Sequence, residues 1–219
     1  MKLNFKYYNT GSLILLILVL SAIYVIFEEI ISSVINLPDG LQESITTLNG
    51  YLGWLSPVAF IGLILFLINE YWWKNWWMNW LVNIPDLNGR YSGELISSYQ
   101  GEDGKPVMKD CVMEIKQNAS SIHICTYYAD KGTNVQNSMS YSVAEEVVKE
   151  KNGSFTLYYL FTNEPDNMNE ALRKHDGTAK FTYLADKREL VGEYYNHRLN
   201  KGAMRVRYEG KVLLHRFEK

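Results

Sequence analysis

The chain has 219 residues, with 22 Lys and Arg against 24 Asp and Glu and a formal net charge of −2 at pH 7. Its mean hydropathy of −0.18 excludes a protein that lies in a membrane along its whole length, and its length leaves room for one domain and something extra. Charge is nearly balanced in the whole chain and again over residues 89–219, which excludes a broad basic field for gripping nucleic acid.

Two charge-free apolar runs come first, GSLILLILVLSAIYVIF at 11–27 and LGWLSPVAFIGLILFLI at 52–68. As helices each would reach roughly 25 Å, the short end of what crosses a bilayer. Neither run has the polar stripe of a buried soluble helix. Phe27-Glu28-Glu29 also lacks the small residues of a signal-peptide cleavage site. Two membrane spans are therefore expected. Between them, residues 28–51 hold Glu28, Glu29, Asp39 and Glu43 but no Lys or Arg, whereas Lys2, Lys6, Lys74 and Arg90 flank the pair. The positive-inside rule then places both termini, and everything after residue 82, in the cytoplasm. Directly after the second run, EYWWKNWWMNW at 70–80 holds five of the six tryptophans. Read as a helix, it puts Trp72, Trp73, Trp76, Trp77 and Trp80 on one face, a girdle suited to the headgroup level. Residues 1–82 thus read as two spans with a Trp-rich interfacial helix.

From Asn83 the texture changes to alternation. Segments 89–99, 107–117, 120–128, 138–148, 154–163, 177–185, 189–196 and 202–212 read as strands, separated by loops of Gly, Asn, Asp, Pro or Lys. Only 166–174 offers a possible helix. Period-two alternation means one buried face and one wet face. Eight such strands close most economically into an antiparallel up-and-down barrel over 83–219, which removes exposed edges; a two-sheet sandwich is the other arrangement. If 107–117 and 122–128 pair about Asn118–Ser121, Ile115 faces Ile124 and Met113 faces Thr126. Cys111 then points in and Cys125 out, too divergent to bridge.

Catalytic patterns are not found. The Gly101–Pro106 stretch lacks the strand–loop–helix setting and the Ser/Thr of a phosphate loop and reads as a hairpin turn. His123, His175, His197 and His215 are scattered without metal spacing, and no nucleophile motif occurs, so a non-enzyme with no cofactor is expected. The inward face would include Tyr91, Thr126, Tyr159, Asn163, His175, Tyr194, Asn196 and Arg198. Several of these lie at strand ends, near a barrel mouth. They either fill the barrel or line a pocket; the pattern alone leaves both open. Rings, amides and a guanidinium are groups that a base-and-phosphate ligand would use.

PDLNGRYSG (85–93), SMSYS (138–142), LYYLFTNEP (157–165), HDGTA (175–179) and LVGEYYNHRLNKGAMRVR (190–207), behind two N-terminal spans, together resemble one family. It is the two-transmembrane, β-strand-rich effector family of bacterial CBASS anti-phage systems. The resemblance implies an inner-membrane protein whose cytoplasmic barrel binds a cyclic dinucleotide or oligonucleotide made by a cognate nucleotidyltransferase. It further implies self-association of the spans on binding, disruption of the membrane lipid and abortive infection, with no direct contact to DNA or RNA. On that footing Tyr91, Tyr159 and Tyr194 would stack on bases and Arg198 would meet a phosphate. Thr126, Ser138, Ser140, Asn163 and His175 would supply hydrogen bonds. Tyr91 stands where the family usually has tryptophan. A membrane-tethered, lipocalin-like barrel for a lipid or small apolar metabolite, and a structural subunit of an envelope complex, are the other readings.

Overall fold

A computed structural model describes residues 4–34, 56–101, 104–165 and 173–219. It divides into two units: Met1–Asn83 with Asn118–Ser120, and Ile84–Gln117 with Ser121–Lys219.

In the first unit, helix α1 spans Thr10–Val34. Asn9 starts it: its side-chain oxygen accepts the Ser12 amide at 3.0 Å, satisfying a donor that the first turn leaves orphaned. The window Thr10–Phe27 is long and apolar enough to cross a membrane, and only 6 % of it is buried. Leu15, Leu18 and Ile26 point outward rather than into a core. Helix α2, Pro57–Leu67, begins with proline at its first turn and Ser56 as cap, the Ser56 oxygen accepting the Ala59 amide at 3.2 Å. It continues into a π-helical turn at Ile68–Trp72. Among the described residues α1 alone meets the length for a membrane span; the apolar stretch Pro57–Trp72 is shorter, and residues 52–55 of the expected second span lie outside the described residues.

The tryptophan-rich stretch is not one helix. The Trp73 amide bonds to the Ile68 carbonyl at 3.0 Å, five residues back, and the chain then turns extended at Asn75 before a short 3-10 turn, Trp76–Met78. Both departures shift the angular register, so the tryptophans do not share a face. Trp73 is buried, whereas Trp76 is 84 % exposed and Trp77 and Trp80 are also open. Within this unit Asn69 and Glu70 meet the tripeptide Asn118–Ser120. The Ser120 hydroxyl donates to Asn69 Oδ1 at 2.6 Å and the Asn118 amide to Glu70 Oε1 at 2.8 Å.

The second unit is a closed antiparallel barrel, β1-β2-β3-β4-β5-β6-β7-β8 in chain order. Its strands are β1 Gly89–Gln100, β2 Pro106–Gln117, β3 Ile122–Asp130, β4 Gln136–Lys149, β5 Phe155–Pro165, β6 His175–Leu184, β7 Glu189–Asn196 and β8 Lys201–Gly210. Closure comes from β1 pairing with β8, Leu95 opposite Met204. The anticipated β2–β3 register is observed: Met113 faces Thr126 and Ile115 faces Ile124. Cys111 is fully buried, Cys125 is half-buried, and both are free. Residues 166–172, where a helix was possible, lie outside the described residues.

Tyr91, Met113, Ile115, Ile122, Ile124, Leu157, Phe181 and Leu190 fill the barrel. The Gln117 side chain staples one end, its oxygen accepting the Leu87 amide at 2.8 Å and its nitrogen donating to the Pro85 carbonyl at 3.0 Å. Residues 211–219 strap the outer face of β2 and β3. Phe217 packs on Val112, Tyr127 and Ala129, which point outward by parity yet are buried beneath it. Glu114, 3 % exposed, accepts the Leu214 amide and the Arg90 guanidinium, while Lys219 reaches Asp110 at 2.8 Å.

Candidate ligand-binding cavity at the barrel mouth

At the rim where β1, β3, β5 and β7 end, the barrel opens into a cavity of about 610 Å³, within the usual range for small-molecule sites. Alternation decides which side chains reach it. From β3 comes Tyr128, from β4 Ser138, from β5 Phe161 and Asn163, from β6 His175, and from β7 Tyr194 and Asn196. Leu95, Ser97 and Tyr99 of β1 and Val107 and Lys109 of β2 complete the wall, with Arg198 and Asn200 from the β7–β8 turn.

Two glycines make the space. A Cβ on Gly177 would lie 2.4 Å from the Phe161 ring, and one on Gly202 would lie 2.5 Å from the Tyr194 ring. Each glycine pairs across the ladder with the residue whose ring it accommodates, Phe161↔Gly177 and Tyr194↔Gly202. The rings therefore lie against bare backbone. Phe161 and Tyr194 meet edge-on at 6.4 Å, a geometry that aromatic quadrupoles favour.

The β7–β8 turn is built by Asn196, whose side-chain oxygen accepts the amides of Arg198 and Asn200, both at 3.1 Å. Such a local side-chain-to-backbone pair is what makes asparagine a turn former. It aims Arg198 at the cavity, where the guanidinium donates to the Arg173 carbonyl. His175 sits beside it with its ring 6.0 Å from His197 and Nδ1 3.2 Å from the Arg173 carbonyl. Burial, and then the Arg198 charge, hold His175 below the ordinary imidazole range, so it is neutral at pH 7. The histidines that look scattered in sequence are thus partly assembled, as one pair at the rim. Among the described residues, no group of three or more His, Cys, Asp or Glu is placed to hold a metal ion.

One layer deeper is a polar floor. The Tyr128 hydroxyl meets the Ser140 hydroxyl at 3.2 Å, and Tyr159 stacks on Phe181 at 6.0 Å with planes 10° apart. Thr126 Oγ1 lies beside the Tyr128 and Tyr159 side chains without closing a well-formed hydrogen bond. Burial raises both phenols above their usual range and pushes the Cys111 thiol up to about 12. These groups stay protonated at physiological pH. They can donate hydrogen bonds but do not act as bases or nucleophiles there.

Of the residues singled out from sequence, Ser138, Asn163, His175, Tyr194, Asn196 and Arg198 meet at the cavity. Ser138 and Ser140 are buried and Met139 is exposed, so the serines take the inward side of β4. Thr126, Ser140 and Tyr159 lie in the floor layer rather than on the wall. Tyr91 is elsewhere: its hydroxyl donates to the Leu87 carbonyl at 3.0 Å and its ring packs edge-on against Tyr208. Tyr128, Phe161 and Lys109 line the wall but were not singled out. Parity carried the signal for all three, since they share faces with Thr126, Tyr159 and Cys111. Lys109 was hidden because a lysine near a turn normally marks a solvated face.

Residues 82–208 match the family model described as Cap15, cyclic dinucleotide receptor domain. No curated protein matches the chain.

Proposed function

The chain belongs to the Cap15 family of cyclic dinucleotide receptor domains, and we propose that a cyclic dinucleotide occupies the cavity at the barrel mouth and switches a membrane effector on. The observation that carries this reading is the composition of one cavity: Tyr128, Phe161 and Tyr194 rings, the Asn163 and Asn196 amides, and the Arg198 guanidinium, with no carboxylate on the described wall. Rings stack on bases, amides pair with base edges, and a guanidinium forks onto a phosphate. Ser138 and His175 add hydrogen-bonding groups at the wall. Tyr159, Thr126 and Ser140 would act from the floor, by holding Tyr128 and by meeting any group that reaches past it. Tyr91 is assigned to the core.

The membrane step rests on the first unit. Helix α1, and a second span made from 52–68, would lie in the inner membrane with both termini and the barrel in the cytoplasm. Trp76, Trp77 and Trp80, all exposed, suit the headgroup level. Ligand binding would drive self-association of the spans, disruption of the lipid and abortive infection. Gly62 fits a close helix approach, since a Cβ there meets nothing within 4 Å and its surface is open.

The test is a thermal-shift screen of the full chain in detergent, with cyclic dinucleotides and, in parallel, fatty acids. A ligand of the folded state must raise the melting temperature. Stabilisation by cyclic dinucleotides, lost on Arg198→Ala, is the expected result. Stabilisation by fatty acids alone would overturn the reading in favour of a lipid carrier. Gly62→Trp is expected to abolish cell killing while leaving nucleotide binding intact.

A further inference from the structure

Arg198 is not the sole cation at the cavity. Lys109 also lines the cavity, from β2. Its parity is that of Cys111, Met113 and Ile115, the buried inward row of the same strand. A lysine on such a row is tolerated only where its head reaches water or an anion. Among the described residues its ion-pair partner is Asp130, 3.3 Å away, and the two side chains differ in setting: Lys109 is 23 % exposed and Asp130 71 %. The cation thus stands at the wall while its counter-charge faces solvent. An ion pair this open is weak. Asp130 also accepts the Asn137 side-chain amide at 2.9 Å, so it keeps a partner if Lys109 turns away.

We propose that Lys109 is a second phosphate-binding cation, and that the cavity thereby selects ligands with two separated phosphodiesters over ligands with one. The proposal rests on the reading of the cavity as a cyclic dinucleotide site. Arg198 enters from the β7–β8 turn and Lys109 from β2, and in the closed sheet β8 and β1 stand between those positions. The two charges occupy different walls. That suits two anionic groups held apart by a rigid macrocycle better than it suits a single phosphate, on which neighbouring cations would converge. Lysine is a point charge on a flexible stem and arginine a planar fork, so Lys109 supplies reach where Arg198 supplies geometry.

The experiment measures equilibrium binding by the full chain in detergent. The probes are cyclic dinucleotides in every pairing of A, G, C and U, each with its linear counterpart carrying one phosphodiester and no terminal phosphate. Wild type is expected to prefer the cyclic form, and Lys109→Gln to weaken cyclic binding about tenfold or more while leaving the linear form nearly unchanged. Lys109→Arg should restore most of the preference. Asp130→Asn breaks the same ion pair but keeps the cation, so it should bind the cyclic ligand at least as tightly as wild type. If Asp130→Asn weakens binding as Lys109→Gln does, the pair is structural and the proposal is overturned. It is overturned equally if Lys109→Gln changes cyclic and linear binding alike, or neither, while wild type binds the cyclic probe. If wild type binds no cyclic probe, the cyclic dinucleotide reading itself falls. Should Lys109→Gln not fold, Lys109→Met, which keeps the stem without the charge, is measured in its place and read by the same outcomes.

Discussion

Helix α1 and the barrel strands draw on the same apolar residues, yet they end in opposite surroundings. Leu18 on α1 is 62 % exposed, whereas Ile124 on β3 is 1 % exposed. The difference lies in spacing. Apolar side chains on every position leave a helix no side to turn inward, so its surface suits lipid as solvent. Apolar side chains on alternate positions give a strand one side for a core and another for water. A residue's identity sets its preference, and its spacing decides which phase satisfies that preference.

The largest effect that would sharpen this contrast is truncation in the barrel. Phe181→Ala is expected to destabilise the barrel by about 3–5 kcal/mol, and Leu18→Ala by less than about 0.5 kcal/mol. Urea denaturation followed by barrel tyrosine fluorescence compares them; a comparable loss from Leu18→Ala would mean that α1 belongs to a soluble core. Next comes the separation of roles. Arg198→Ala should weaken cyclic dinucleotide binding about ten- to hundredfold, with the share of protein sedimenting with membranes unchanged.

A third test concerns the outer face, where the barrel departs from simple alternation. Val112, Tyr127 and Ala129 are apolar on the wet side because residues 211–219 cover them. Phe217→Ala should therefore cost about 1.5–3 kcal/mol of barrel stability by chemical denaturation, and a negligible change would mean that the strap is loosely held. Acid acts on the same strap. Burial alone would raise the Asp110 carboxyl, but hydrogen bonds from Lys219 and the Gly132 amide bring it below the usual carboxylate range. The contribution is therefore present above pH of about 3.9 and lost as pH falls through the lower folded value, which hydrogen exchange at residues 211–219 would register. The smallest effect is at His175. Its depressed pKa means that the folded state binds fewer protons than the unfolded chain just below pH of about 6.5, so stability falls as pH drops through that window. His175→Gln should remove that part of the pH profile.

Most of the barrel could be read from sequence because period two is a local signal: Met113 opposite Thr126 follows from the turn and the count. What escaped was set by contacts distant in the chain. The strap pairs Lys219 with Asp110, and the His175–His197 pair forms only when β6 and the β7–β8 turn meet. The tryptophan stretch failed differently. A helical wheel assumes constant angular steps, and the π turn after Ile68 breaks that assumption. The cavity was half legible, since parity gives the inward row but not depth. Tyr91 and Tyr194 both point inward, yet Tyr91 lies in the packed core and Tyr194 at the open rim.

The most direct measurement is a structure of the chain with a bound cyclic dinucleotide. Ligand density is expected at the mouth, with a base against the Phe161 or Tyr194 ring and a phosphate at Arg198. Density on the outer face, or a mouth left empty with the ligand bound elsewhere, would contradict it.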